Sequence, residues 1–246
     1  MNSVSSFWPY PAVVVHRGGG YLAPENTLDA FVEGKRHGGT AVEFDIQTTA
    51  DGRLVLSHDE RLGRVIQGQG RVCEMASDAL RRLRVVNPHE PGQSAPVCFF
   101  DEAVDLCNTL GLMMNVELKP AVGCETELAQ IASRAFETLD IRVPVLVSSF
   151  NAVCLERFRF LQPKQACGYL FEAVNDDWMS LARELDLQTV HPAVNLASCE
   201  MAQKAHERGL GVMVWTVDDP QEAREAIQNG ADAVCTNRPE TISQIF

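Results

Sequence analysis

The sequence predicts an α/β protein, a closed (β/α)8 or TIM barrel with a small insertion after its second strand. Short runs of β-branched or apolar residues alternate with amphipathic segments almost from end to end, as in repeated strand–helix units around a parallel sheet. Eight such units in 246 residues match the size of a closed barrel. The absence of a G-x-G-x-x-G turn disfavours the alternative, a doubly wound open sheet.

Each strand of the predicted barrel is followed by a helix. The strands are expected at residues 12–17, 41–47, 113–119, 144–150, 166–171, 188–193, 211–217 and 232–237. Asn26 or Thr27 can cap the first helix, and Gly38 can end it. The later helices are expected to begin near Asp101, Glu125, Asn151, Asp177, Ser198, Asp219 and Pro239.

One stretch interrupts this alternation. Between Asp59 and Val97 the chain carries GQG and NPHEPG and has few periodic runs. We therefore predict a single domain, residues 1–246, with an inserted subdomain at about 60–97. Long loops in compact domains are usually functional or mobile, so the insertion is expected to lie over the active face.

Composition narrows the class of partner and the compartment. A formal net charge of −12 argues against nucleic acid as a ligand and favours a small-molecule substrate. The eight cysteines include no C-x-x-C pair and are interpreted as reduced core thiols. Residues 1–16 lack the features of a signal peptide, and no run approaches the roughly 20 apolar residues of a membrane span. We expect a cytoplasmic protein, and no apolar stripe defines its oligomeric state.

Carboxylates on the second and third predicted strands are expected to converge inside the barrel. Because strand side chains alternate, Glu43 and Asp45 share one face, and Glu117 lies on the corresponding face of the next strand. Barrel enzymes keep their chemistry at this C-terminal mouth. Three unpaired carboxylates would repel one another or bind protons, whereas one divalent cation would stabilise them. Oxygen ligands of this type favour Mg²⁺ or Ca²⁺.

Two histidines are predicted to lie beside these carboxylates. Asp51-Gly52 is a favoured two-residue hairpin turn, which would place His58 directly opposite Asp45. His16 ends the first strand. One imidazole could remove a proton while the other supplies one to a leaving oxygen.

Cationic groups suited to phosphate complete the pattern. Arg17 offers a planar fork of donors, and Lys119 lies on the carboxylate-bearing face of the third strand. Glycines 18–20 are expected to let the backbone approach a ligand closely. Together with a metal and two histidines, these groups favour phosphoester cleavage.

Three other functions compete with this hypothesis. A glycoside hydrolase would use paired carboxylates but has no need for the histidines and cations around them. A Schiff-base aldolase could use Lys119 as its nucleophile. A non-catalytic binding protein would have no reason to carry the whole set of histidines and carboxylates.

Several segments resemble the glycerophosphodiester phosphodiesterases, most closely their bacterial cytosolic branch. The similarity runs in order from residue 12 to about 240. It is carried by HRGGGYLAPENTLDAF, EFDIQTTADGRLVLSHD, NVELKP, VWTVDDP and CTNRP. The resemblance implies a metal-dependent (β/α)8 barrel that hydrolyses glycerophosphodiesters to glycerol 3-phosphate and an alcohol. Another phosphodiester of the lysolipid type is the alternative substrate.

The resemblance also implies roles for individual residues. The implied metal ligands are Glu43, Asp45 and Glu117, and the implied general acid and base are His16 and His58. The implied phosphate ligands are Arg17 and Lys119, the implied site-organising residues are Glu25 and Asn26, and Trp215 is implied near the glycerol end. In the implied mechanism the glycerol hydroxyl attacks phosphorus and a cyclic phosphate is then hydrolysed, while direct attack by water stays open. By contrast, His191 is expected to be structural and Asn237 to cap the last helix.

Overall fold

The computed structural model describes residues 8–173 and 177–246. The structure does not describe residues 1–7 and 174–176. The prediction that residues 1–16 lack a signal peptide therefore falls partly outside the described residues. The strands are β1 Val13–Val15, β2 Ala41–Thr48, β3 Leu54–Leu56, β4 Arg84–Val86, β5 Ser94–Pro96, β6 Met113–Leu118, β7 Val145–Ser149, β8 Cys167–Phe171, β9 Thr189–Pro192, β10 Gly211–Val214 and β11 Ala233–Thr236. The α-helices are α1 Leu28–Arg36, α2 Ser77–Leu80, α3 Phe100–Leu110, α4 Glu125–Thr138, α5 Ala152–Leu161, α6 Trp178–Glu184, α7 Cys199–His206, α8 Pro220–Gln228 and α9 Pro239–Ile242.

Eight parallel strands close into a barrel, which confirms the predicted fold class. The order around the barrel is β1, β2, β6, β7, β8, β9, β10 and β11, and β11 pairs with β1. Each predicted strand overlaps one of these eight. The first strand is shorter than expected, because His16 begins a 3₁₀ turn, His16–Gly18, in which Arg17 adopts a left-handed conformation.

Alternation along the strands separates the apolar core from the polar mouth, as the sequence predicts. Val42, Phe44 and Ile46 of β2 pack in the main core between the barrel and its helices. Inward side chains at the other end of the barrel form a smaller apolar cluster that includes Val14, Met113 and Trp8. This cluster fills the bottom of the barrel, and the inward carboxylates of Glu43, Asp45 and Glu117 lie towards the C-terminal mouth.

The β2–β3 hairpin differs from the prediction by one residue of register. Gln47 pairs with Val55, whereas a two-residue turn would pair it with Leu56. The loop is three residues long, with Gly52 at φ +76°, a left-handed conformation suited to this turn. Asp51 stabilises the loop by accepting hydrogen bonds from Thr49 Oγ1 at 2.6 Å and Ser77 Oγ at 2.7 Å. His58 is therefore not opposite Asp45.

The segment between β3 and α3 has more regular structure than its sequence indicates. It contains α2, the antiparallel pair of β4 and β5, and a 3₁₀ turn at Val72–Glu74. A separate apolar cluster holds it against the barrel. That cluster comprises Val55, Val65, Ile66, Val72, Leu80, Val85, Val97 and Phe99. A hydrogen bond from Asn87 Nδ2 to the carbonyl oxygen of Tyr21 connects the segment to the loop that follows β1.

The cysteines and the helices agree in part with the composition-based expectations. All eight cysteines are free thiols, but Cys73 and Cys124 are half-buried and Cys199 is exposed, so these three are not core residues. None of the helices in the described ranges combines the length and apolarity needed to cross a membrane.

Candidate active site

Three carboxylates meet at the C-terminal end of the barrel, from adjacent strands. Glu43 and Asp45 come from β2 and Glu117 from β6, where Asp45 and Glu117 are register partners. One oxygen from each carboxylate lies within 4.8 Å of the others, and all three residues are buried. The convergence follows from the two-residue period of two strands paired in register.

The chemistry of this cluster fits a hard divalent cation. Burial and the neighbouring charges of Asp45 and Glu117 raise the pKa of Glu43, and burial and Asp45 raise the pKa of Glu117 to about 8. Oε1 of Glu43 is buried and has no hydrogen-bond partner among the described residues. The same holds for both amide atoms of Asn115, the register partner of Glu43 that lines the same cavity. Unsatisfied buried oxygens beside three carboxylates are the donor set that Mg²⁺ or Ca²⁺ prefers.

Asp45 is the carboxylate that the site keeps ionised. Burial alone would raise its pKa, but the charges of His58, Arg17 and Lys119 lower it. Asn26 adds to this effect, because its Nδ2 donates to Asp45 Oδ2 at 2.9 Å. Asn26 Oδ1 in turn accepts from the backbone N–H of Asp45 at 3.1 Å, so the amide holds both ends of the residue.

Arg17 and Asn26 are held in left-handed conformations, at φ +51° and +58°. Such conformations cost non-glycine residues about 1–3 kcal/mol and concentrate at functional sites. The Asn26 N–H donates to the Arg17 carbonyl at 2.9 Å, and the Arg17 N–H donates to Glu43 Oε2 at 3.0 Å. The guanidinium of Arg17 donates to both oxygens of Glu25 at 2.9 Å. Glu25 and Asn26 therefore contact the groups they were predicted to organise.

Glycines 18–20 also allow close packing within the protein, and their expected approach to a ligand stays a prediction. A Cβ added to Gly18 would lie 2.2 Å from the ring of Phe31. A Cβ on Gly20 would lie 2.0 Å from the carbonyl oxygen of Asn237, and Gly20 has φ +58°. These glycines let the loop after β1 pack against α1 and against the loop after β11.

His16 is oriented by Asn237, which the sequence reasoning assigned to a helix cap. His16 Nδ1 lies 2.6 Å from Asn237 Oδ1, while the residue capping α9 is Arg238. Asn237 Nδ2 donates to Asp218 Oδ2 at 2.9 Å, so its amide oxygen faces the imidazole. Neutral His16 therefore carries its proton on Nδ1 and directs an unprotonated Nε2 towards the site, 3.8 Å from Glu43. Burial, together with Arg17, lowers the pKa of His16 to about 4.

His58 reaches the site because the chain bends after β3. Nε2 of Gln47, a buried residue of β2, donates to the carbonyl oxygens of residues 57, 58 and 59 at 3.0, 3.2 and 2.8 Å. His58 Nδ1 lies 2.7 Å from Asp59 Oδ1, and Nε2 lies 3.2 Å from Lys119 Nζ. The pKa of His58 is lowered overall, because burial and the charges of Arg17 and Lys119 outweigh the opposite effects of Asp45 and Asp59.

Lys119 is an ion-paired ammonium at the edge of the carboxylate cluster. Its Nζ lies 3.2 Å from Glu117 Oε1 and 4.0 Å from Asp45 Oδ1. Burial would lower its pKa, but Glu117 and Asp45 raise it above the usual value. Lys119 is therefore protonated, which suits an anion-binding group.

These side chains surround a cavity of about 460 Å³ at the barrel mouth. Trp215 lies in its wall, edge to face with Phe150 at 5.2 Å, and its Nε1 donates to the His191 carbonyl at 2.8 Å. His191 is fully buried, bonds Thr189 Oγ1 at 2.9 Å and has a pKa lowered to about 3 by burial. The cavity thus pairs a charged half with an aromatic half, and His191 belongs to its structural support.

The sequence did not lead us to assign a role in the site to four residues of this network: Gln47, Asp59, Asn237 and its partner Asp218. Asp59 directly follows His58, and Asp218 and Asn237 lie in VDDP and CTNRP, two of the segments that carried the resemblance. Those motifs were the available signal. Gln47 shares the inward face of β2 with Glu43 and Asp45, so the alternation pointed to its direction but not to its partners.

A parallel barrel with acidic, basic and imidazole side chains at its C-terminal mouth has the groups that a hydrolytic enzyme uses. The sequence matches the model of the glycerophosphoryl diester phosphodiesterase family over residues 16–241. The chain belongs to this family and is an enzyme of the glycerophosphodiester phosphodiesterase class.

Relatives and solved structures agree over nearly the whole chain. A glycerophosphodiester phosphodiesterase from Caldanaerobacter subterraneus is 26% identical over 94% of this chain and 95% of its own. One from Bacillus altitudinis is 27% identical over 95% of this chain and 97% of its own. The structure of an Oleispira antarctica phosphodiesterase in complex with the product sn-glycerol-3-phosphate superposes with a TM-score of 0.89 at 28% identity, covering 96% of each chain.

Proposed function

We propose that the protein hydrolyses glycerophosphodiesters to glycerol 3-phosphate and an alcohol, with one divalent ion and two histidines. The observation that carries this proposal is the cluster of Glu43, Asp45 and Glu117 between His16 and His58. These carboxylates would hold Mg²⁺ or Ca²⁺, which would stabilise negative charge on a bound phosphodiester. The product bound to the Oleispira relative supports the same substrate class.

The partners of the two histidines suggest their roles. His16 is oriented by a neutral amide and presents an unprotonated Nε2, which suits a general base. His58 has the carboxylate of Asp59 behind its Nδ1, which offsets part of the lowering of its pKa by burial and would let it act as a general acid once it is protonated. Arg17 and Lys119 would bind the phosphate oxygens, and Trp215 would contact the glycerol moiety.

Lys119 as a Schiff-base nucleophile receives no support from the geometry. An amine nucleophile needs a lowered pKa, whereas Glu117 and Asp45 raise that of Lys119. Borohydride with a carbonyl substrate should therefore trap no adduct. A Lys119→Arg variant should lose activity because the position of the positive charge changes. Borohydride should trap no covalent intermediate in this variant either.

The wider setting of the enzyme is also a proposal. We propose that residues 1–246 form one domain with the inserted subdomain at about 60–97, and that it acts in the cytoplasm on small glycerophosphodiesters from lipid turnover. The insertion borders the site, because Arg64 and Asn87 line a cavity with His16 and Arg17, and it is the natural place for selection among alcohol groups. A lysolipid-type phosphodiester is the alternative substrate.

The test is release of glycerol 3-phosphate from glycerophosphocholine and glycerophosphoethanolamine, detected with a coupled dehydrogenase. We expect release that stops after chelation and returns with Mg²⁺ or Ca²⁺. Release that survives exhaustive chelation would remove the metal from the mechanism. Release only from a lysophospholipid, or from neither class, would overturn the proposed substrate.

A further inference from the structure

Arg64, from the inserted segment, contacts two carboxylates of the site at once. Its two terminal nitrogens donate to Glu25, NH1 to Oε2 at 3.0 Å and NH2 to Oε1 at 2.6 Å. Its Nε donates to Asp59 Oδ2. Because the guanidinium is planar with donors in fixed directions, one group sets the relative positions of both carboxylates.

Each of these carboxylates has a second partner in the proposed catalytic machinery. Glu25 accepts two hydrogen bonds from Arg17, and Asp59 Oδ1 lies 2.7 Å from His58 Nδ1. Arg64 thus connects the proposed phosphate ligand with the proposed general acid. Arg64 also adds a positive charge beside both carboxylates, which are partly buried.

We infer that Arg64 is a positioning residue that holds Glu25 and Asp59 in place and thereby orients Arg17 and His58 for the reaction. The inference rests on the proposed function, because it gives Arg17 and His58 their tasks. Arg64 also lines a cavity of about 210 Å³ together with His16 and Arg17. Direct binding of substrate by Arg64 is therefore the rival role, and it predicts a different kinetic result.

Kinetics separates the two roles. Arg64→Ala should lower kcat about 10- to 100-fold, the usual effect of removing a group that orients the ligands of a site, with KM nearly unchanged. Arg64→Lys should recover only part of kcat, because an ammonium cannot bind two carboxylates in the geometry of a guanidinium. If Arg64→Ala fails to fold, Arg64→Lys carries the test.

A matched control lies in the same segment. Arg71 also connects two carboxylates, with Nε donating to Glu60 at 2.6 Å and NH1 to Glu74 at 3.2 Å, but it contacts neither Glu25 nor Asp59. Arg71→Ala should retain kcat. The double variant Arg64→Ala, Asp59→Asn should have a kcat only slightly below that of the less active single variant, because both changes break one chain of contacts.

A second measurement does not depend on turnover. The ring nitrogens of ¹⁵N-labelled histidine report hydrogen bonding at His58, and the signal can be assigned with a His58→Gln variant. We expect Arg64→Ala to shift the His58 Nδ1 signal and Arg71→Ala to leave it unchanged. If Arg64→Ala shifts this signal but the wild-type protein releases no glycerol 3-phosphate, the chain of contacts from Arg64 to His58 stands and the proposed function is discarded.

The inference is overturned if Arg64→Ala keeps kcat within about twofold of an active wild type. It is equally overturned if the loss is confined to KM, or if the His58 signal does not move. Additive losses in the double variant would also reject a shared chain of contacts.

Discussion

Nδ1 of His16 lies 2.6 Å from Oδ1 of Asn237, a contact across 221 positions of sequence between the segments that directly follow the first and last strands of the barrel. Asp218 holds the amide through the Asn237 N–H at 2.7 Å and its Nδ2 at 2.9 Å. The direction of the imidazole is thus decided by residues distant in sequence. It would be lost if any of them were changed.

Asn237→Ala should lower kcat about 10- to 100-fold, because the imidazole of His16 loses the acceptor that fixes its tautomer. Steady-state kinetics on glycerophosphocholine measures the effect. Asn108→Ala is the control, since the Asn108 side chain also holds residues distant in sequence, the backbone of Asp140 and Arg142, but on the surface. Equal kcat for Asn237→Ala and wild type would show that His16 needs no such partner.

His16→Ala and His58→Ala should each lower kcat by about 10²- to 10⁴-fold, the usual contribution of a positioned acid or base. Melting temperatures should stay near that of wild type, because both side chains border the cavity. His37→Ala, at the exposed end of α1, is the matched control for loss of an imidazole. Near-normal turnover in either site variant would remove that histidine from the mechanism.

Gln47→Ala should destabilise the protein by about 1–3 kcal/mol, because the buried carbonyl oxygens of residues 57, 58 and 59 lose their shared donor. Gln47→Glu should be more damaging, since a carboxylate would face those carbonyls. Denaturant unfolding measures both changes. Gln203→Ala, an exposed position on α7, should alter the free energy of unfolding by less than about 0.5 kcal/mol. A neutral Gln47→Ala would mean that the bend after β3 holds without this side chain.

Without a divalent ion, Glu117 should make the protein less stable as pH rises from about 7 to 8, above the range in which the lowered pKa values of His16 and His191 act in the opposite direction. The folded state raises the pKa of Glu117 to about 8, so it binds this proton more tightly than the unfolded chain does. That stabilisation is complete below the ordinary glutamate pKa and is lost as pH rises through the folded value. Each 1 kcal/mol lost should lower the melting temperature by about 2–4 °C.

Adding Ca²⁺ or Mg²⁺ should raise the melting temperature more at pH 8 than at pH 5, because the ion binds the ionised carboxylates. Glu117→Gln should flatten the pH dependence of the metal-free protein. A melting temperature that is independent of pH in chelator would contradict the assignment. So would a metal effect of equal size at both pH values.

The sequence supported the parts of the site that depend on local periodicity. The alternation of β2 and β6 places Glu43, Asp45 and Glu117 on one face, and their convergence needs only parallel pairing in register. The positions of the eight barrel strands followed from the same signal, although β1 and β10 end earlier than expected. His58 was expected beside the carboxylates and does line the same cavity. The reason given for this expectation, a position directly opposite Asp45, was wrong.

What failed depended on side chains that act at a distance. The register of the β2–β3 hairpin is decided by Asp51, which bonds Ser77 of the insertion, so a rule for isolated hairpins counted the loop one residue short. The close contacts of Gly18 with Phe31 and of Gly20 with Asn237 were not foreseen, because only the folded chain creates them. The link from Arg64 to Glu25 spans 39 positions and follows no period. Such contacts are properties of topology and not of any local pattern.

The contact between Gly20 and Asn237, where a Cβ would come within 2.0 Å of the opposing carbonyl oxygen, lies at the seam where the two ends of the chain meet. Its consequence concerns biosynthesis. A chain emerging from the ribosome carries both histidines and all three carboxylates long before its last strand is made, yet it lacks the residue that orients His16. The orientation of His16 therefore arrives with the final segment, and a chain cut before β11 would lack both this contact and the strand that closes the barrel.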